Sequence, residues 1–191
     1  KTSAADLDTA DLSAERYYDY DFHRLEVEHV WKKTWQMVCR TEEIPECGDY
    51  MEYTVADQEW LVVRQEDGEV KAFANACRHR GNKIKSGCGG SAELRCQYHH
   101  WCWDLDGSLK EIPDRHLFIA IDDEAYSLAE AACDTWAGFV FINPDKEGAP
   151  PLTEWLGEVA TQLAPFSLDR MRAVTNVSTS IACNWKVAVE A

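Results

Sequence analysis

Two short cysteine–histidine pairs are the residues of this chain best suited to chemistry. One residue separates Cys77 from His79, and two residues separate Cys96 from His99 further along the chain. Thiolate sulfur and imidazole nitrogen are both good ligands for transition metals. The two pairs therefore predict a metal centre to which each pair contributes one sulfur and one nitrogen.

An iron–sulfur cluster and a zinc ion are the two centres that such ligands can hold. In a Rieske [2Fe–2S] cluster, two cysteines bind one iron and two histidines bind the other. A zinc site more often pairs like ligands, as Cys-x-x-Cys followed by His-x₃₋₅-His. Because cysteine and histidine alternate here, the pattern favours a Rieske cluster bound by Cys77, His79, Cys96 and His99. A zinc site and a chance placement of core residues are the weaker alternatives.

The sequence around both pairs resembles the large (α) subunit of Rieske-type ring-hydroxylating oxygenases, in its amino-terminal portion. The matching cluster-binding segments are Cys77-Arg-His-Arg-Gly81, Cys96-Gln-Tyr-His-His-Trp101 and Asp104-Leu-Asp-Gly107. Ile44-Pro45 resembles the start of that family's Rieske domain. Asn184-Trp185-Lys186, with Glu190, resembles the start of its catalytic domain. The resemblance thus runs along nearly the whole chain.

One residue departs from the pattern of that family. Its members usually carry glycine directly after the second histidine ligand, where this chain has His100. Glycine would permit a positive φ at this position, which histidine adopts only occasionally. His100 could also compete with His99 for the metal, and the two-residue gap from Cys96 favours His99.

The resemblance implies a mainly β Rieske domain, an antiparallel barrel or sandwich with two cluster-binding loops. We expect this domain to span residues 37–150. It would follow an amino-terminal arm and helix over residues 1–36. The start of an α+β catalytic domain, truncated, would occupy residues 151–191.

Turn and strand signals in the middle of the chain are typical of such a β domain. Glu66-Asp-Gly68 and Asp106-Gly107 each separate two short apolar runs, as in a β-hairpin. The apolar run Gly138–Asn143 is the best candidate for a buried strand, and Pro144 ends it. The sequence therefore predicts short antiparallel strands joined by tight turns.

Helices are predicted towards both ends of the chain. Asp21 predicts the start of one that runs to about Trp35. A second is expected from Thr153 to Leu163, and a long strand from about Arg172 to Cys183. Asn184 then begins a further helix at which the sequence stops, which suggests a fragment of a longer protein.

The resemblance also implies a function for the longer protein. Such oxygenases use O₂ to hydroxylate an organic, most often aromatic, substrate. A ferredoxin or flavin reductase supplies electrons, which pass through the [2Fe–2S] cluster to a mononuclear Fe(II) held by two histidines and a carboxylate. The subunits form homotrimers or α₃β₃ assemblies, and the small organic substrate binds at the Fe(II).

The ligands of that mononuclear iron match nothing in this chain, so no catalytic residue is assigned. The remaining histidines lack the paired spacing of a metal site; they are His23, His29, His100 and His116. Two other functions stay open. One is a Rieske-type ferredoxin that only carries electrons, and the other is a monooxygenase of a quaternary amine or another non-aromatic substrate.

Composition excludes several kinds of partner. A net charge of −15 argues against nucleic acid and against an anionic membrane surface. The apolar run Trp136–Ile142 is far shorter than the ~20 residues that a membrane-spanning helix needs. Asn82 and Tyr98 stand where membrane-bound Rieske proteins carry a disulfide. The eight cysteines fit two ligands and six reduced thiols, as in a cytoplasmic protein.

Positive charge is concentrated around the two pairs. Residues 77–99 contain five basic side chains against one acidic one, so this segment carries a charge of +4. We name the five the basic collar: Arg78, Arg80, Lys83, Lys85 and Arg95. The collar could stabilise a reduced cluster and steer an acidic electron donor. Alternatively, it could pair with carboxylates of a neighbouring subunit.

Overall fold

The computed structural model describes residues 13–118 and 120–190. The strands within these ranges are β1 Gln36–Arg40, β2 Asp49–Val55, β3 Gln58–Arg64, β4 Val70–Ala74, β5 Cys88–Gly90, β6 Leu94–Arg95, β7 Cys102–Trp103, β8 Leu109–Glu111, β9 Glu130–Trp136 and β10 Phe139–Asn143. They form an antiparallel seven-stranded sheet of order β1-β10-β9-β4-β3-β2-β5 and a three-stranded sheet of order β6-β7-β8. The fold is mainly β, as predicted.

Strand β3 shows why the larger sheet is covered on both faces. Trp60, Leu61, Val62 and Val63 are all buried, and successive side chains of a strand point to opposite faces. Leu61 and Val63 belong to a core that also contains both predicted cysteine ligands. Trp60 and Val62 belong to a second core against β1, β9 and β10. A continuous apolar run is what a strand buried on both faces requires.

Both predicted hairpins are confirmed. Gly68 lies between β3 and β4 with φ +85°, and Gly107 lies between β7 and β8 with φ +86°. A Cβ at Gly68 would meet nothing within 4 Å, whereas one at Gly107 would lie 2.4 Å from the ring of Phe73. Gly107 is therefore required by packing as well as by its backbone conformation.

The amino-terminal helix begins earlier and ends sooner than predicted. Helix α1 spans Tyr20–Glu26 and continues as a π-helical turn over Val27–Trp31. Its cap is Asp19, whose side chain accepts the backbone N–H of Asp21 at 2.8 Å. Asp21 itself lies in the first turn. The prediction missed Asp19 because both aspartates suit a helix start, and the capping hydrogen bond distinguishes them.

The carboxyl-terminal segment agrees with prediction in part. The expected helix is present as α2, Leu152–Leu156, and α3, Glu158–Leu163, which Gly157 separates with φ +51°. The predicted helix after Asn184 is α4, Trp185–Glu190. The strand expected from Arg172 to Cys183 is wrong. Residues 171–181 are exposed and form no regular structure, because no strand of the described residues pairs with them.

The two ends of the described chain meet at a buried ion pair. Lys186 Nζ lies 2.5 Å from Glu26 Oε1, and the indole N–H of Trp185 donates to the other carboxylate oxygen at 3.3 Å. The Trp185 ring also packs edge-on against Trp31, with ring centroids 4.9 Å apart. Helix α4 is thereby joined to α1. We name this group of contacts the Glu26 clasp.

The hydrogen bonds of the Glu26 clasp determine the direction in which the pKa of Glu26 is shifted. Burial alone would raise the pKa of Glu26, but the bonds from Lys186 and Trp185 outweigh it, so this pKa is lowered and the carboxylate stays charged.

Residues 1–12 of the predicted amino-terminal arm lie outside the described residues. In the part of the chain that the structure describes, no helix is long and apolar enough to cross a membrane.

Candidate metal centre

The two predicted ligand segments fold into loops with the same backbone hydrogen bonds. We name residues 77–82 the first loop and residues 96–101 the second loop. In the first, the N–H of Cys77 donates to the carbonyl of Asn82 at 2.8 Å, and the N–H of Gly81 donates back to the carbonyl of Cys77 at 2.7 Å. This closes a tight turn around the side chains of the predicted ligands.

The second loop repeats that pattern position by position. The N–H of Cys96 donates to the carbonyl of Trp101 at 2.9 Å, and the N–H of His100 donates to the carbonyl of Cys96 at 3.1 Å. His100 has φ +60°, and the corresponding Gly81 has φ +72°. The left-handed conformation that glycine would provide is thus present at His100, which bears it despite its side chain.

Each loop is braced by a different polar side chain. The buried Asn75 follows β4, accepts the N–H groups of Ile84 and Lys85 at 3.1 Å each, and donates to the carbonyl of Lys85 at 2.8 Å. It thereby fixes the chain that leaves the first loop. Arg95 donates to the carbonyl of His100 at 3.0 Å and so holds the second loop at its strained residue. Apart from its place after a strand, nothing in the sequence pointed to Asn75.

The loops bring the four predicted ligands together, like with like. The imidazole rings of His79 and His99 meet edge to face, with centroids 4.8 Å apart. The thiols of Cys77 and Cys96 lie close enough for each to shift the pKa of the other, and both cysteines are buried. Sulfur therefore faces sulfur, and nitrogen faces nitrogen, although cysteine and histidine alternate in the sequence. A cluster with two thiolates on one iron and two imidazoles on the other needs this arrangement.

The two sulfurs differ in acidity. Burial raises the pKa of the Cys77 thiol above its ordinary value, and the Cys96 thiol adds to this, although the backbone N–H groups of His79 and Arg80 act against it. Burial acts on Cys96 in the same direction, but the backbone N–H groups of Tyr98 and His99 outweigh it, and the pKa of this thiol is lowered. The amide of Asn82 contributes to the lowering. Hydrogen bonds that favour a thiolate suit a metal-binding cysteine.

His79 is prepared to act as a neutral ligand. Burial, followed by the neighbouring His99 and Arg80, lowers its pKa, so the ring is uncharged at neutral pH. Its Nδ1 atom is buried and has no hydrogen-bond partner among the described residues. A buried polar atom without a partner is costly unless something else completes it. A metal ion at Nδ1 would do so, and the side chains present therefore fit the cluster.

A single metal ion fits the same side chains less well. Within residues 13–118 and 120–190, no group of three or more histidine, cysteine, aspartate or glutamate side chains converges as a mononuclear site requires. Structural zinc needs four ligands around one point. Two separate pairs, one of sulfur and one of nitrogen, match a binuclear centre better than a zinc ion.

Aromatic rings cover the histidine side of the site unequally. His79 stacks on Trp101, with centroids 5.0 Å apart and planes at 5°, and Phe118 meets it edge-on at 6.2 Å. Apart from His79, Tyr98 is the aromatic residue of the described chain that covers His99, with centroids 3.8 Å apart, and Tyr98 is itself 61% exposed. The His99 side of the site is thus the one nearer to the surface.

The basic collar is smaller than its sequence suggested. Lys83 pairs with Glu52 at 2.6 Å and with Glu59 at 3.0 Å. Arg95 pairs with Glu93 at 2.8 Å and with Glu111 at 2.7 Å. These carboxylates belong to the same chain, so neither an acidic donor nor a neighbouring subunit is needed to balance the two cations.

The other collar residues keep their charge available. Arg78 donates to the carbonyl of Ala125 at 3.0 Å, and Lys85 donates to the hydroxyl of Ser91 at 2.8 Å. Arg80 is exposed and makes no ion pair with the described residues. Three of the five collar cations therefore have no carboxylate partner among the described residues.

Comparison with known proteins agrees with this geometry. Residues 34–121 match the family model of the Rieske [2Fe–2S] domain. The α subunit of biphenyl 2,3-dioxygenase from Rhodococcus jostii RHA1 is 34% identical over 209 residues, which cover 100% of this chain and 44% of that subunit. The chain belongs to the family of Rieske oxygenase α subunits. It corresponds to their amino-terminal part and spans less than half of that relative's length.

Solved structures of Rieske oxygenases share the fold. A quaternary ammonium Rieske monooxygenase superposes with a TM-score of 0.86 at 30% identity, over 92% of this chain and 50% of that one. Naphthalene 1,2-dioxygenase superposes with a TM-score of 0.73 at 32% identity, over 78% of this chain and 34% of that one. The chain is thus similar in fold both to a quaternary ammonium monooxygenase and to naphthalene 1,2-dioxygenase.

Proposed function

We propose that Cys77, His79, Cys96 and His99 hold a Rieske [2Fe–2S] cluster, with both thiolates on one iron and both imidazoles on the other. The observation that carries this proposal is the pairing of like ligands across the two loops. The spacing of the ligands in the sequence is compatible with it, but the fold is what places sulfur beside sulfur. When bound, such a cluster accepts and donates one electron at a time, at about −150 to +300 mV.

The chain's own residues prepare the site for that task. The buried thiols and the stacked Trp101 keep water from the sulfur side and from His79. The two loops are each closed by backbone hydrogen bonds and braced, so their ligands stay in place when the charge of the site changes by one. A rigid setting lowers the reorganisation that accompanies electron transfer, as preorganised dipoles do in catalysis.

The whole protein, we propose, is the terminal component of an oxygenase that hydroxylates an aromatic substrate with O₂. Electrons would come from a ferredoxin or flavin reductase and pass to a mononuclear Fe(II). No described residue is assigned to that iron. His23 lies beside a carboxylate, with its Nδ1 atom 3.5 Å from Glu26 Oε2, but that carboxylate belongs to the Glu26 clasp. The chain would therefore supply electron transfer and no catalytic residue.

Assembly and location complete the proposal. We place the division between the Rieske domain and the catalytic domain near residue 150, with the amino-terminal part ending near residue 36. The Glu26 clasp supports this layout, since a simple carrier has no need to join its two ends around the β domain. We place the protein in the cytoplasm as a homotrimer or α₃β₃ assembly, and free thiols throughout the chain fit a reducing compartment.

Chemical analysis of the chain tests the cluster assignment directly. Protein purified without oxygen should contain two irons and two sulfides per chain, with the visible circular dichroism and EPR spectra of a Rieske centre. His99→Ala should abolish these spectra, and His100→Ala should keep them. Loss in His100→Ala together with retention in His99→Ala would reverse the choice between the neighbouring histidines.

The substrate class has a second candidate, because a quaternary ammonium monooxygenase superposes on this chain with the higher TM-score of the two structures. Sequence relatives named as biphenyl, benzene and chlorobenzene dioxygenase subunits favour the aromatic class. The whole oxygenase should be supplied with reductase and with an aromatic hydrocarbon or a quaternary amine, while O₂ uptake and hydroxylated product are measured. Product from the amine alone would replace the aromatic assignment. Electron acceptance without O₂ uptake on either substrate would favour the carrier function.

A further inference from the structure

One side chain reaches from the first loop to a sulfur of the second. The Nδ2 atom of Asn82 lies 3.7 Å from Cys96 Sγ, within range of an N–H···S hydrogen bond, and also donates to the carbonyl of Lys83 at 2.8 Å. An amide nitrogen carries two protons, one for each of these acceptors, whereas the amide oxygen would be repelled by both. The two contacts together fix the orientation of the amide.

The bond distinguishes one predicted ligand sulfur from the other. Each cysteine faces two backbone N–H groups of its own loop, so the backbone treats the two sulfurs alike. Asn82 and Trp101 occupy corresponding positions at the ends of their loops. Asn82 turns towards Cys96, whereas the indole of Trp101 stacks on His79. Among the described residues, Cys96 is therefore the sulfur with the additional side-chain donor.

A donor at a ligating sulfur acts on the redox equilibrium. Hydrogen bonds to cluster sulfurs are one of the factors that set the potential of an iron–sulfur centre. The reduced state carries one more negative charge, and a hydrogen bond to an acceptor strengthens as the acceptor becomes more negative. We propose that Asn82, which is not a ligand, donates a hydrogen bond to Cys96 Sγ and thereby raises the reduction potential of the cluster. This inference rests on the function proposed above.

The surroundings of Asn82 allow the bond to be tested without disturbing the core. Asn82, Gln97 and Tyr98 line an open depression at the surface. Gln97 is a matched control, since it is also an exposed amide beside the site, but its Nε2 atom donates to the carbonyl of Arg95 at 3.4 Å. A leucine at either position removes an amide and adds apolar surface. Only the leucine at Asn82 removes a donor to sulfur.

The experiment compares Asn82→Leu with Gln97→Leu in cluster-loaded protein. Potentials would be measured by spectroelectrochemistry at one fixed pH, and Fe–S(Cys) stretching frequencies by resonance Raman in H₂O and in D₂O. We expect Asn82→Leu to disfavour the reduced state about tenfold, which is about 59 mV downward for a one-electron couple. The Raman shift on deuteration should shrink in the same variant. Gln97→Leu should change neither, and Asn82→Gln should restore part of the potential.

Two results would overturn the role of Asn82: an unchanged potential in Asn82→Leu, or equal changes in both leucine variants. The second result would mean that solvent exclusion, rather than the hydrogen bond, sets the potential. If Asn82→Leu does not take up iron and sulfide, Asn82→Ala and Gln97→Ala decide by the same criteria. Wild-type protein without a Rieske spectrum would contradict the proposed cluster itself, which is a different failure from normal spectra with an unchanged potential.

Discussion

The two loops that present the predicted ligands have one backbone pattern and two different sets of side chains. Each closes with the same pair of backbone hydrogen bonds and has a left-handed residue at the same place, Gly81 in one and His100 in the other. The predicted histidine ligand stands two residues after Cys77 but three residues after Cys96. The two loops therefore have the same backbone conformation, but their histidine rings leave it from different positions. The position of each histidine in its loop decides where its ring lies.

The two loops also differ in the side chain at their last position. Asn82 and Trp101 both cross to the opposite loop, one with a polar contact to sulfur and the other with a stacked ring on imidazole. Asn82 is an exposed residue whose contact with the sulfur is part-buried, whereas Trp101 is buried. We expect the polar contact to affect redox properties with little change in stability, and the stacked ring to affect stability strongly.

The largest expected effect is loss of the centre when either loop loses its sulfur. Cys77→Ser and Cys96→Ser should each abolish the Rieske spectrum, because a hydroxyl is a far poorer ligand for iron than a thiolate. Iron and sulfide content together with visible circular dichroism would measure this. Retention of the full spectrum in one of the two variants would break the equivalence of the loops. Cys47→Ser, which changes an exposed thiol, serves as control.

The next effect separates the two crossing side chains. Trp101→Ala should lower the free energy of unfolding by about 3–5 kcal/mol, because a large buried ring is removed from the core. Asn82→Ala should cost less than about 1 kcal/mol, since the residue is exposed. Urea denaturation of both variants would compare them. Similar costs would show that Asn82 is part of the structural support rather than a redox determinant.

The left-handed residues allow a third comparison. A Cβ at Gly81 would meet nothing within 4 Å, so Gly81→Ala should cost about 1–2 kcal/mol from backbone strain alone. His100→Gly removes the corresponding strain from the second loop and should gain at most about 1 kcal/mol, because glycine also increases the entropy of the unfolded chain. Thermal unfolding would measure both. A stabilising Gly81→Ala would mean that the loops do not share their backbone.

The smallest expected effect is a difference between the two loops in their stability at acid pH. Arg95, which holds His100, is the main cause that keeps the pKa of Glu93 at about 2, below its ordinary value. A lowered pKa contributes stability that is complete above the ordinary value and is lost as the pH falls towards about 2. The first loop is braced by the uncharged Asn75. The second loop should therefore loosen first in acid.

Amide hydrogen exchange of cluster-free protein would detect this difference, after correction for intrinsic rates. Between pH 5 and pH 3, protection of the His100 N–H should fall more than protection of the Gly81 N–H. In a Glu93→Gln variant, the acid sensitivity of the His100 N–H should diminish. Equal loss at both amides would point to general acid unfolding rather than to the brace.

Prediction from the sequence succeeded where the signal is local. Both hairpins were predicted from their turn glycines, and the strand over residues 139–143 from its apolar run. The helix start was misplaced from Asp19 to Asp21, because two capping residues stand close together and only the hydrogen bond decides between them. The strand expected over residues 172–183 was wrong, since β-branched residues favour a strand only when a partner strand is present.

Long-range contacts could not be predicted from the sequence. Glu26 and Lys186 are far apart in the chain, and nothing in their local patterns indicates that they meet. The positive charge of the basic collar was counted along residues 77–99, but Glu52, Glu59 and Glu111, which pair with Lys83 and Arg95, lie outside that segment. A charge count therefore overstated the positive potential around the site.

The sequence by itself determined the family and predicted the kind of ligands, because the spacing of cysteine and histidine in two short segments is a local property. Only the tertiary structure decided how these ligands combine. Folding of the loops against one another places Cys77 beside Cys96 and His79 beside His99, and it brings Asn82 within reach of the Cys96 sulfur. The physical reason is that which side chains meet across two loops depends on how the sheets pack beneath them, and no segment contains that information alone.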